Sequence, residues 1–203
     1  MRGWPRRLLR PWLSVGAGVL ALGLAACRSE LPPAEREWRA ARLGAVRRQL
    51  PAARRATLHA LRFFPYDPHA RVRAVLEPAR PLTALTLTTS DGRARPASRV
   101  GSFRFRLPGG EGVLTVFRLD DAAEPHLFLP FRDAAAGSES YAAGRYVEIQ
   151  QLAGGLVEVD FNRAYNPDCA YGITASCPLT PAENTLPFAV RAGEMAPPPG
   201  AAH

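Results

Sequence analysis

Polar side chains able to bind or react crowd into residues 132–183 of this sequence: Arg132, Asp133, Tyr141, Arg145, Glu148, Asp160, Asn162, Asn166 and Glu183. Arginine and asparagine suit an anionic or polar ligand, because a guanidinium grips a carboxylate or phosphate through two parallel hydrogen bonds. Arg132, Asp133, Tyr141, Arg145, Asn162, Asn166 and Glu183 therefore form the candidate ligand set. Two neighbouring carboxylates, Glu148 and Asp160, suit general acid/base work, one as acid and one as base. A purely structural role stands beside both readings, since internal salt bridges and hydrogen bonds also gather such residues.

These residues need a scaffold, and the stretch from Arg145 to Asp160 reads as a β-hairpin. Gly154 and Gly155 tolerate positive φ and supply the turn. With Ala153, Gly154 and Gly155 as a three-residue loop, Leu152 faces Leu156, Ile149 faces Val159 and Val147 faces Phe161. The other face pairs Gln150 with Glu158, Glu148 with Asp160 and Tyr146 with Asn162. A two-residue loop would mix apolar and charged partners on both faces, so the alternation selects the longer one. Glu148 and Asp160 then sit directly opposite, with Cβ atoms about 4.5–5.5 Å apart. Their repulsion requires an arginine, a cation, water or a shared proton.

Residues 1–26 read as a targeting segment. Arg2, Arg6, Arg7 and Arg10 precede an apolar run, Leu13 to Ala26, that is short for a membrane span. Leu24-Ala25-Ala26-Cys27 resembles a bacterial lipobox, which implies cleavage before Cys27 and lipidation of that cysteine. Two acyl chains anchor stably where one is marginal. Arg28 stands where an aspartate often marks inner-membrane retention, so the expected location is the periplasmic face of the outer membrane. The sequence leaves general secretion and twin-arginine export both open. Residues 27–33 are a tether, 34–195 a single domain, and 196–203 a Pro/Ala tail expected to be disordered.

All 26 basic residues are arginine; four lie in 1–26, which leaves 22 against 18 acids, a net charge of +4. That mild excess, without a basic helix or aromatic-interleaved patch, argues against nucleic acid as a partner. No nucleophile elbow, dinucleotide fingerprint or phosphate loop is present, and the four histidines have no metal-ligand spacing. No cofactor and no metal are expected. In an exported chain, Cys169 and Cys177 are expected as a disulfide, with two thiolate metal ligands as the weaker alternative.

Ala34 to Leu50 reads as a helix, with Glu35 and Glu37 in its first turn and Trp38, Leu43, Val46 and Leu50 as an apolar stripe. Its arginines read as a solvated face. The period then changes to two. Strands are expected at 71–76, 82–89, 101–107, 113–119, 127–131 and 186–191, besides the hairpin, with Gly/Pro turns between them. The class is mainly β: an antiparallel sandwich or barrel-like domain with one N-terminal helix.

Ordered blocks also resemble the domain-of-unknown-function 1684 family. They are Phe63-Phe64-Pro65-Tyr66-Asp67-Pro68, Leu127 to Asp133, Tyr141 to Tyr146, Asp160 to Pro167, Cys169-Ala170-Tyr171, Cys177-Pro178-Leu179, Glu183-Asn184 and Ala192-Gly193-Glu194. Ser138-Glu139-Ser140-Tyr141 and Thr180 depart from its usual pattern. The resemblance supports the fold and implies no activity. The functional expectation is an envelope-facing, non-catalytic ligand-binding or accessory lipoprotein; the alternative is a hydrolase-like enzyme using Glu148 and Asp160.

Overall fold

The alternation of residues 94–119 builds the centre of the protein. In this computed structural model, which describes residues 31–121, 126–174 and 176–198, strands β3 (Ala94–Leu107) and β4 (Gly110–Leu119) form a long antiparallel pair. Phe103, Phe105 and Leu107 are buried while Arg104 and Arg106 face solvent, as a period-two strand requires. Strands β2 (Glu77–Thr88), β5 (Leu127–Phe131) and β6 (Arg145–Val147) complete a five-stranded sheet in the order β2-β3-β4-β5-β6. A second sheet, β1-β8-β7, contains β1 (Arg71–Val75), β7 (Ile149–Gln151) and β8 (Leu156–Asp160). All strand pairs are antiparallel. The two sheets form a sandwich-like arrangement and not a closed barrel.

The main core lies between the sheets. Val72, Val157 and Val159 from one meet Phe103, Phe105, Leu114, Val116, Leu129 and Phe131 from the other. Phe161, just past β8, stacks on Phe105 at 5.2 Å and meets Phe131 edge-on at 5.3 Å between ring centroids; such aromatic pairs add to the burial of their area.

Helix α1 (Pro33–Gln49) and a short helix α2 (Ala52–Thr57), which the sequence did not foretell, precede the strands. Val46 and Leu50 bury against Leu58, Leu61, Ala170 and Tyr171. The polar face of α1, expected to be solvated, is only partly so: Glu35 is buried, and Arg39 and Arg42 turn inward to protein partners. Among the described residues no helix is long and apolar enough to cross a membrane. The targeting segment, Cys27 and the end of the tail, residues 199–203, lie outside the described residues.

Two expectations about the strands change. Residues 186–191 are irregular instead of extended in a sheet: Leu186 N–H and Phe188 O bond to the backbone of Arg132 and Ala134, but at Val190 side chains take over, its N–H donating to Asp133 at 2.7 Å and its carbonyl accepting from Arg145 at 2.8 Å. The hairpin is also shorter than expected. Its register and its three-residue turn, Ala153–Gly155, are as read from the sequence. Only Ile149–Gln151 pairs with β8, however. Residues 145–147 belong to β6, where Val147 faces Leu129, and Tyr146 bridges Tyr165 instead of Asn162. The cause lies in Asp160: its carboxylate accepts the Asn162 N–H at 3.1 Å and starts a 3-10 turn, Phe161–Arg163, that ends the strand.

Candidate functional site

Glu148 falls at the point where the chain passes from one sheet to the other, so it and Asp160 are not a ladder pair. They nevertheless line one hollow of about 190 Å³, with Trp38, Arg71, Glu158 and Arg163. Each carboxylate has donors. Arg71 Nε lies 3.2 Å from Asp160 and 3.7 Å from Glu158, and Arg73 Nε lies 2.7 Å from Glu158. Glu148 accepts from the Tyr165 hydroxyl at 2.8 Å, and Asp160 also accepts from Asn162 Nδ2 at 3.0 Å. Arginine and amide donors thus offset the crowding of acids on β8.

The candidate ligand residues separate into three groups. Arg145, Asp133, Asn162 and Asn166 are buried and hydrogen-bonded within the protein. Arg145 donates to the carbonyls of Val190, Ala192 and Glu194 at 2.8, 2.5 and 2.9 Å. It lies 3.5 Å from Asp133 and 5.0 Å from the Phe131 ring centroid. Burial lowers its pKa to about 10. Asp133 accepts from Ser140 and from Val190 N–H. Asn162 clasps the backbone of Asp67, accepting at 2.9 Å and donating at 2.8 Å. Asn166 donates to Met195 O at 2.8 Å and to the Tyr171 hydroxyl at 3.1 Å. Arg132 and Glu183 form a second, exposed group; Glu183 pairs with Arg99 at 2.6 Å. Tyr141, partly buried, stands apart beside Cys169, and burial first, then Cys169, pushes its pKa up to about 12.

Sequence reading gave no role to Arg42, Glu194 or Asn184. Glu194, fully buried, accepts from Arg42 Nε at 2.9 Å, Asn166 N–H at 2.7 Å and the Tyr171 hydroxyl at 3.0 Å. Burial raises its pKa, and Arg42 opposes that shift. The family-like block Ala192-Gly193-Glu194 was the available signal. Gly193 there has φ +78°, and a Cβ would fall 2.7 Å from the Phe161 carbonyl, so a side chain is excluded.

A larger open cleft of about 490 Å³ lies where α1, β6 and the cysteine loop meet. Phe128, Tyr146 and Tyr165 supply aromatic walls, Arg42, Arg95 and Asp168 supply charge, and His126 adds a polar ring. Arg42 stacks over Tyr165 at 4.9 Å and contacts Asp168 at 3.7 Å. The Tyr165 ring faces this cleft while its hydroxyl reaches Glu148, so one residue joins the two concavities.

The expected disulfide is not formed: Cys169 and Cys177 are free thiols. In place of a covalent bond, Cys177 Sγ accepts the Cys169 N–H at 3.2 Å. Among the described residues no three His, Cys, Asp or Glu side chains group as metal ligands.

Residues 56–195 match the family described as protein of unknown function, DUF1684. The chain belongs to the DUF1684 family. A similar fold is found in the solution NMR structure of an uncharacterized protein from Haloarcula marismortui, 35% identical, with a TM-score of 0.57, over 79% of this chain and 95% of that one. None of the curated proteins compared with the chain matches it. The DUF1684 match begins after α1, so Arg42 enters the cleft from outside the matched region.

Proposed function

We propose that this DUF1684 protein is an envelope-facing lipoprotein, anchored through Cys27, whose folded domain is a non-catalytic binding module for a small anionic or polar ligand. The observation that carries the binding reading is the cleft of about 490 Å³, with aromatic walls and the cations Arg42 and Arg95. Concave sites with apolar walls and a few convergent polar groups are the usual form of ligand pockets. Aromatic faces suit a planar ligand, and a guanidinium suits its carboxylate or phosphate. One buried member of the sequence-derived set supports this site: Asn166 N–H donates to Glu194, which holds Arg42 in place.

A thermal-shift panel of aromatic carboxylates and phosphates on the mature chain tests the binding reading. A panel member should raise the melting temperature, and Arg95→Ala should weaken its binding about tenfold, the loss of one charge-assisted contact. A panel without binders, or equal binding by the variant, rejects it. Intact mass of the membrane fraction tests the anchor: Cys27→Ala should release the chain to the soluble fraction.

The hydrolytic reading draws support from one observation, that Glu148 and Asp160 share a hollow. It requires activity on a substrate to vanish in Asp160→Asn while the fold persists.

A further inference from the structure

The cysteine pair has a chemistry that ligand binding does not use. Cys177 is buried and fixed from both sides: its N–H donates to Ser90 Oγ at 3.0 Å, and its carbonyl accepts from Ser90 N–H at 2.8 Å. Leu179, two residues on, donates to Thr88 O at 2.8 Å. Cys169 sits in the 3-10 turn Asp168–Tyr171 and is partly exposed. Its sulfur neighbours Cys177, Ser90 and Tyr141, each of which favours its thiolate. The two cysteines are thus neighbours, with Cys177 Sγ 3.2 Å from Cys169 N; Cys169 is partly exposed, and Cys177 is buried at the wall of the cleft of about 490 Å³. Donors to a sulfur stabilise its thiolate, and the thiolate is the nucleophile. Cys177 before all others, then Ser90 and Tyr141, lower the Cys169 pKa to about 7, while the same contact drives Cys177 upward.

We infer that Cys169 and Cys177 form a thiol–disulfide exchange site, with Cys169 as the attacking sulfur, Cys177 as the resolving sulfur, and a low-molecular-mass disulfide as substrate. The Cys169 thiolate attacks one sulfur of the disulfide; a new S–S bond forms, the old one breaks, and one thiolate leaves and takes up a proton. Cys177 then loses its proton and attacks the Cys169 sulfur, closing the internal disulfide and expelling the second thiol. The protein dithiol is oxidised and one disulfide is reduced to two thiols, so electrons balance. The pairing holds whatever the cleft binds.

The test uses the reduced mature chain. Iodoacetamide at pH 7, followed by peptide mapping, should label Cys169 about three- to sixfold faster than a cysteine in the unfolded chain. A larger thiolate fraction raises that rate, and lower intrinsic nucleophilicity partly cancels the gain. Cys177 should resist labelling. Oxidised glutathione should convert the wild-type chain to its internal disulfide, leave Cys177→Ser as a mixed disulfide on Cys169, and not react with Cys169→Ser. Reduced glutathione should reopen the internal bond in the folded chain. Faster labelling of Cys177, equal slow labelling of both, or a bond reducible only after unfolding each overturns the proposal, the last by making the bridge purely structural. If Cys177→Ser fails to fold, labelling and reopening of the wild-type chain decide the matter alone.

Discussion

Two acidic regions of this protein sit a helix apart in character. The hollow on the β1-β8-β7 sheet gathers Glu148, Glu158 and Asp160 at the surface, where half-exposed Arg71 and more exposed Arg73 offset them. The pocket beneath α1 holds one acid, Glu194, without solvent access, and gives it Arg42, Asn166 and Tyr171. Three carboxylates together look more conspicuous than one. Yet water and exposed arginines share the cost of the crowd, whereas an enclosed carboxylate depends entirely on its few partners. Surface ion pairs contribute little to stability, and breaking a buried pair strands a charge. Isolation from solvent, more than clustering, decides where a charge matters.

The contrast can be broken in four ways. Glu194→Ala should destabilise the domain by about 3–5 kcal/mol in urea unfolding, as expected for one partner removed from a buried pair; Arg145→Met should cost about as much, because it leaves three carbonyls without their donor. A loss below about 1 kcal/mol would place the enclosed acid on a par with surface pairs. Asn184→Ala should cost about 2–3 kcal/mol, since its amide satisfies Thr115 N–H and O and Pro130 O at 2.7–2.8 Å. Asp160→Asn should change stability by less than about 1 kcal/mol, because Arg71 is half-exposed and asparagine keeps an acceptor for Asn162. A larger loss would show that the hollow is as indispensable as the interior pair.

The smallest effect concerns pH. Asp91, exposed in the β2–β3 turn, is held down to about 2 from 3.8 by the Thr89 hydroxyl and then Arg93. A depressed carboxylate contributes stability that is complete above its unfolded pKa and is lost as pH falls through its folded pKa. The melting-temperature difference between wild type and Asp91→Asn should therefore hold above pH 4 and shrink from about 4 to about 2. A difference constant over that range would exclude the carboxylate as its source.

The strands were legible because their causes are local. Phe103, Phe105 and Leu107 alternate with charged neighbours, and the register of Ile149 with Val159 follows from keeping one hairpin face apolar. Arg145 was legible only as a polar residue of interest. Its acceptors lie 45–49 positions away in a segment with no regular structure, so no local pattern distinguishes it from an arginine that faces a ligand. Arg39 and Arg42 misled for the related reason that an amphipathic stripe assigns every charge to water. The blocks shared with DUF1684 did contain the missing partners Asn184 and Glu194, but as sequence they carry no geometry.

The fastening of Arg145 to the carbonyls of residues 190, 192 and 194 sets an order of events. A chain synthesised from its first residue has released every strand of both sheets before those acceptors emerge. Until then a guanidinium at the heart of the sandwich has Asp133 beside it but none of its three carbonyl acceptors. The closing stretch therefore acts as a keystone: it arrives last, lies in no strand, and locks everything laid before it.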